Sequence, residues 1–126
     1  MTKTNLRSSA NRVFKTAWFT KAARKARIHA PELCAAITQV MQGQADDLGG
    51  GVYKKRLNDN RHRSIILAKG DRYWVYEYLF AKKDRANIQA DELAAFRSLA
   101  KGYAALNAQQ LENLIQANHF VEICHE

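Results

Sequence analysis

VYKKRLNDNRHRSIILAKGDRYWVYEYLF, residues Val52–Phe80, reads as three consecutive β-strands joined by two tight connections. Val52–Leu57 runs into a short Asn58–Asn60 turn, and Arg63–Ala68 follows. Lys69, Gly70 and Asp71 lead into a third strand, Arg72–Phe80. In that strand Tyr73, Trp74, Val75, Tyr76, Tyr78, Leu79 and Phe80 form a nearly unbroken run of β-favouring residues. Such a run suits a central strand covered on both faces.

Upstream, alternation over Val13–Phe19 predicts another strand. A helix is expected from Thr20, a possible N-cap, with Phe19, Ala22, Ala23 and Ala26 as its apolar stripe. Pro31 suits the first turn of a second helix, where its missing N–H is no loss; Leu33, Ile37, Val40 and Met41 follow at helical spacing, and Gly43 fits the stop. Gln44–Gly51 reads as a loop. Its three terminal glycines do not make a phosphate loop, because a strand rather than a helix N-terminus follows them.

Downstream, Asn87 and Ile88 lead into a third helix carrying Leu93, Phe96 and Tyr103, with Asp91 and Glu92 in its first turn. Asn107 is placed to cap a last helix with Leu111, Leu114 and Ile115. The apolar Phe120–Ile123 is left to dock or to extend as a short strand. The expected fold is α+β: a small antiparallel sheet, made of the three-strand meander and an N-terminal strand, packed with helices. A polar arm over residues 1–12 precedes one domain over residues 13–126. The arm lacks the apolar run of a secretory signal.

With 126 residues, 47% hydrophobic and 25% charged, the chain has the apolar material for a packed core and not the profile of a disordered one. No apolar stretch approaches the roughly 18 residues of a membrane span, so a transmembrane protein is excluded. Cys34 and Cys124 are too few for a disulfide scaffold or a zinc site of the usual kind, which predicts a reduced cytosolic domain, with Cys34 partly buried. The net charge is +8 and unevenly spread. Residues 1–85 hold 18 basic and 7 acidic side chains, while residues 86–126 hold 2 and 5. A cationic body of this kind points to a polyanionic partner.

His29, His62, His119 and His125 are scattered without metal-ligand spacing, and no nucleophile–base ordering or carboxylate pair stands out. The cations of the meander carry more information. Period two puts Lys54 and Arg56 on one strand face, opposite Tyr53, Lys55 and Leu57. Arg63 opens the paired strand, and the last strand runs out into Lys82, Lys83 and Arg85. These segments are expected to converge on one concave patch able to hold phosphate. Lys55, Arg61 and Arg72 read as solvated strand ends, and the aromatic strand reads as core, with an end residue free to stack a base.

The runs Gly51–Leu57, His62–Leu67 and Tyr78–Arg85, followed by Asn87-Ile88, resemble the RelE/HigB-type toxins of bacterial toxin–antitoxin pairs. The likeness covers roughly residues 13–105, so that residues 107–126 read as an extension beyond the family core. The resemblance implies a microbial-ribonuclease-like fold and metal-free cleavage of messenger RNA by attack of the ribose 2′-hydroxyl on the adjacent phosphate. Lys54 is then the candidate base, its proton loosened by neighbouring cations. Arg56 and Arg63 stabilise the phosphate, and Lys82 positions RNA or protonates the leaving oxygen. Tyr53, His62, Tyr78, Lys83 and Arg85 are candidate RNA contacts. No cofactor is implied. The implied partners are the ribosome with its mRNA and a cognate antitoxin of helix-turn-helix type, in the cytoplasm. Ile88 and Gln89 stand where some members have a tyrosine, which leaves the base-stacking residue to be found elsewhere, Tyr78 or His62 being the substitutes. A non-catalytic module binding RNA, DNA or the ribosome through the same patch is the alternative.

Overall fold

A computed structural model describes residues 12–69 and 72–125. The expected N-terminal arm, Arg12 excepted, and Gly70-Asp71 of the second connection lie outside those residues. The strands are β1 (Arg12–Thr16), β2 (Asp46–Gly49), β3 (Val52–Leu57), β4 (His62–Lys69), β5 (Tyr73–Ala81) and β6 (Phe120–Ile123). The helices are α1 (Ala17–Lys25), α2 (Ala30–Met41), α3 (Ala90–Ala104) and α4 (Ala108–Gln116). The strands form one sheet in the order β2-β3-β4-β5-β1-β6. All pairings are antiparallel except that of β1 with β5. The α+β expectation and the central meander stand, but the sheet is larger than expected and its N-terminal strand is parallel.

The two faces of the sheet are covered separately. Alternation along β3 sends Tyr53 and Leu57 to a core built with Phe19 and Ala23 of α1 and Leu33, Ile37 and Val40 of α2. The other face carries Val52, Ile65, Leu67 and Phe80 beneath Ala100 of α3, and Phe14, Tyr73, Val75 and Phe120 beneath α4. β5 is therefore buried on both sides along Tyr73–Tyr76, as its composition predicted. The phenol of Tyr76 donates a buried hydrogen bond to the Leu33 carbonyl at 2.7 Å, joining sheet to helix.

Three local expectations are corrected. The first strand stops at Thr16, not at Phe19, because the Thr16 hydroxyl accepts from the Phe19 N–H at 3.0 Å and caps α1 four residues before Thr20. Asp46–Gly49, expected to be loop, pairs with β3 as a short irregular edge strand. Its turn closes through Gly50 at φ 65°, where a Cβ would press within 2.8 Å of the Arg97 side chain. The cysteines are joined: Cys34 on α2 and Cys124 just after β6 form a disulfide with Cα atoms 5.4 Å apart. Counting cysteines along the chain could not reveal this. β6 returns antiparallel to β1 and brings Cys124 back against the α2 side of the sheet.

A bulge in β5 lies at Glu77, between the Ile65–Tyr78 and Ile66–Tyr76 pairs. Glu77 accepts from the Tyr103 hydroxyl at 2.8 Å. Burial pushes its carboxyl above the usual range, with the Tyr103 hydrogen bond opposing.

Two outcomes follow for stability. The disulfide closes a loop across a separation of 90 residues, so Cys34→Ser should cost about 2–4 kcal/mol in urea unfolding without reductant, and added reductant should erase the difference from wild type. Folded Glu77 holds its proton more tightly than the unfolded chain does, so its contribution falls as pH rises above the ordinary glutamate range. Glu77→Gln should therefore unfold at higher urea than wild type at neutral pH and lose that advantage near pH 4.

Candidate nucleic-acid interface

The site is set by the register of the meander. Arg56 of β3 lies directly opposite Arg63 of β4, and Arg63 lies opposite Phe80 of β5. One step inward on the same face, Lys54 is opposite Ile65, which is opposite Tyr78. Lys54, Arg56 and Arg63 therefore share the face that α3 covers, at the end of the sheet the helix leaves open. This register depends on the turn after β3. Asn58, Asp59 and Asn60 all take positive φ, between 52° and 69°, which Asn and Asp tolerate better than other side chains. The Glu32 carboxylate of α2 fixes the turn by accepting from the Asn58 N–H.

The three cations are held differently. The Lys54 ammonium donates to Asn87 Oδ1 at 3.2 Å and lies 3.7 Å from Asp46. Arg63 donates to the carbonyls of Asn60 and His62 at 3.0 and 3.2 Å, which orients its guanidinium at the turn. Among the described residues neither Arg56 nor Arg63 forms an ion pair. Like charges directly opposite in a sheet are destabilising. This pair therefore places uncompensated positive charge at one end of the sheet.

The other expected residues divide between this face and its surroundings. Tyr53 points to the opposite face and packs on Trp74, with ring centroids 5.5 Å apart, so it does not border the arginine pair. His62 also faces away from Arg63. With Lys25, Arg61, Lys82 and Lys83 it lines a cleft of about 670 Å³ at the tip of the meander. Burial first, then Arg61, lowers the His62 pKa, and its Nδ1 pairs with the Asn58 side-chain amide at 3.1 Å. The expected single concavity is therefore two cationic surfaces back to back, because the sequential residues His62 and Arg63 must point to opposite sides of a strand.

Arg85 is occupied by the fold. It forms a bidentate pair with Glu92, donates to the Asn87 carbonyl at 3.1 Å, and lies over the Phe80 ring at 5.5 Å. The Glu92 pairing raises its pKa. Arg85 thus ties the start of α3 to β5 and holds Asn87 where it meets Lys54. Tyr78 sits under the ring of Trp18, with centroids 5.1 Å apart and planes at 22°. Trp18 and Asn87 border this face and were not singled out from the sequence. Reading residues 13–19 as a strand hid Trp18; a tryptophan at the head of an acid-free cationic stretch was the available signal. Nothing local marks Asn87 as a partner of Lys54. Among the described residues no three His, Cys, Asp or Glu side chains gather as a metal site, and no helix is long and apolar enough to cross a membrane.

A family model described as the RelE toxin of the RelE / RelB toxin–antitoxin system matches residues 11–123. The match reaches through α4 and β6, so residues 107–123 belong to the family region and are not an extension beyond it. Neither a curated protein nor a solved structure gives a match. With the model covering nearly the whole chain, the protein belongs to the RelE toxin family, the toxin side of a type II toxin–antitoxin pair.

Proposed function

We propose that this toxin is an endoribonuclease that cuts messenger RNA on the ribosome, in the cytoplasm, and so stops translation and growth. The observation that carries the proposal is the cross-strand Arg56–Arg63 pair, without a carboxylate partner among the described residues, on the same face as Lys54. Two arginines fixed by strand register can grip a phosphate from both sides and meet the charge that grows on its oxygens as phosphorus becomes five-coordinate.

In the proposed reaction the 2′-hydroxyl oxygen bonds to phosphorus while the bond from phosphorus to the 5′-oxygen breaks. The products are a 2′,3′-cyclic phosphate and a 5′-hydroxyl. The 2′-proton passes to a base, and another proton reaches the leaving oxygen. Lys54 is the proposed base; Lys82, in the cleft on the other face, positions RNA, and its placement there leaves the second proton to solvent. His62, Lys83 and the cleft they share with Lys25 and Arg61 take flanking phosphates. The Arg85–Glu92 clamp supports Asn87 rather than RNA. The cognate antitoxin, proposed to be of helix-turn-helix type, neutralises the toxin by covering this cationic end.

One observation favours a second reading, RNA or ribosome binding without cleavage. The Lys54 ammonium is already held by Asn87 and Asp46, a setting that suits a fixed cation.

Expression of wild type and variants in a bacterium, with mapping of transcript ends, separates the readings. Arg63→Ala should lower cleavage about 100-fold at equal expression, as loss of one transition-state donor does elsewhere. Full growth inhibition by Arg63→Ala would refute the assignment. Lys54→Ala should reduce single-turnover cleavage far more than RNA affinity if Lys54 moves a proton; equal losses in both make it a binding cation. Intact transcripts under wild-type expression would establish the second reading.

A further inference from the structure

Trp18 is the one large apolar side chain exposed among the described residues, at 51%. It is not loosely hung. Its indole stacks on Tyr78, and the Tyr78 ring is backed by Phe96 at 5.8 Å and Phe80 at 6.0 Å. The stack stands at the β5 edge that β1 leaves unpaired beyond Lys15–Tyr76, where the chain has turned into α1. Tyr78 and Phe80 share the face of Lys54, Arg56 and Arg63, and Phe80 is the strand partner of Arg63.

The surroundings of Trp18 are cationic. Lys21 and Lys25 follow it at i+3 and i+7, on the same side of α1, and both are exposed. No acidic residue occurs in Ala17–Lys25. Lys25 then lines the cleft with Arg61, His62, Lys82 and Lys83. A broad apolar patch would suit a protein partner. A single rigid indole at the head of a row of lysines suits a flat base attached to phosphates.

We infer that Trp18, backed by Tyr78, is the platform on which one unpaired base of the bound RNA stacks. The inference rests on the reading of the arginine pair as the phosphate site. It assigns Trp18 a positioning role: it holds the strand so that one phosphate meets Arg56 and Arg63, and takes no part in proton transfer.

The test uses the full chain and two short probes of equal length and charge: a 2′-O-methyl oligoribonucleotide, which has no free attacking hydroxyl, and its abasic counterpart. Affinity is read at several salt concentrations, with quenching of the exposed tryptophan as a second signal; Trp74, which is 7% exposed, serves as the internal constant. Wild type should prefer the base-bearing probe about tenfold. Trp18→Ala should bring that preference close to one and leave the salt slope unchanged, and Trp18→Phe should keep most of it. An unchanged preference in Trp18→Ala overturns the platform, and if Arg63→Ala still abolishes cleavage the arginine site stands without it. Loss of antitoxin binding with the base preference retained also overturns it, making Trp18 a partner contact. Failure of wild type to bind either probe removes the phosphate site and the platform together.

Discussion

The register that sets Arg56 opposite Arg63 is the constraint on which the cationic end of this molecule depends. A one-residue slip of β3 would carry Leu57 out of the core and turn Arg56 inward, so the apolar face enforces the polar one. Ser64, fully buried, secures the same pairing by donating to the Lys55 carbonyl at 3.0 Å across the two strands. Two like charges are thus held face to face by packing beneath them rather than by any attraction of their own.

The second determinant is the early end of β1. Because Thr16 caps a helix, the chain leaves the sheet beside Tyr76, and α1 continues along the edge of β5 where a longer strand would have run. Phe19 and Ala23 still reach the core from that position, while Trp18 and the lysines face outward. Coverage of the sheet edge and display of a cationic surface are therefore the same local event.

Much of this was legible in the sequence because it follows from simple periodicities. Alternation over Val52–Leu57 placed Lys54 and Arg56 together, the aromatic run of β5 marked the central strand, and Asn107 announced the cap of α4. Two of the misreadings have a physical origin in contacts between residues distant along the chain, and the third in a local one. Asp46–Gly49 has no strand-like composition and becomes a strand only because β3 offers it an edge. The Cys34–Cys124 bond requires β6 to return beside β1. Alternation over Val13–Phe19 is genuine as far as Thr16, where a single side-chain hydrogen bond outweighs it. The division of the cations between two faces was implicit in the alternation itself, since Arg63 and His62 are neighbours on one strand.

The lateral margins of the sheet are both only four residues long: β2, which carries two aspartates and an irregular register, and β6, which is bonded through Cys124 to a helix. Long flat margins are what let sheets of separate molecules zip together into aggregates. A protein with 47% hydrophobic residues and such a strongly β-favouring interior thus offers little template for stacking with its own kind, and its colloidal behaviour is governed by the mutual repulsion of molecules each carrying +8.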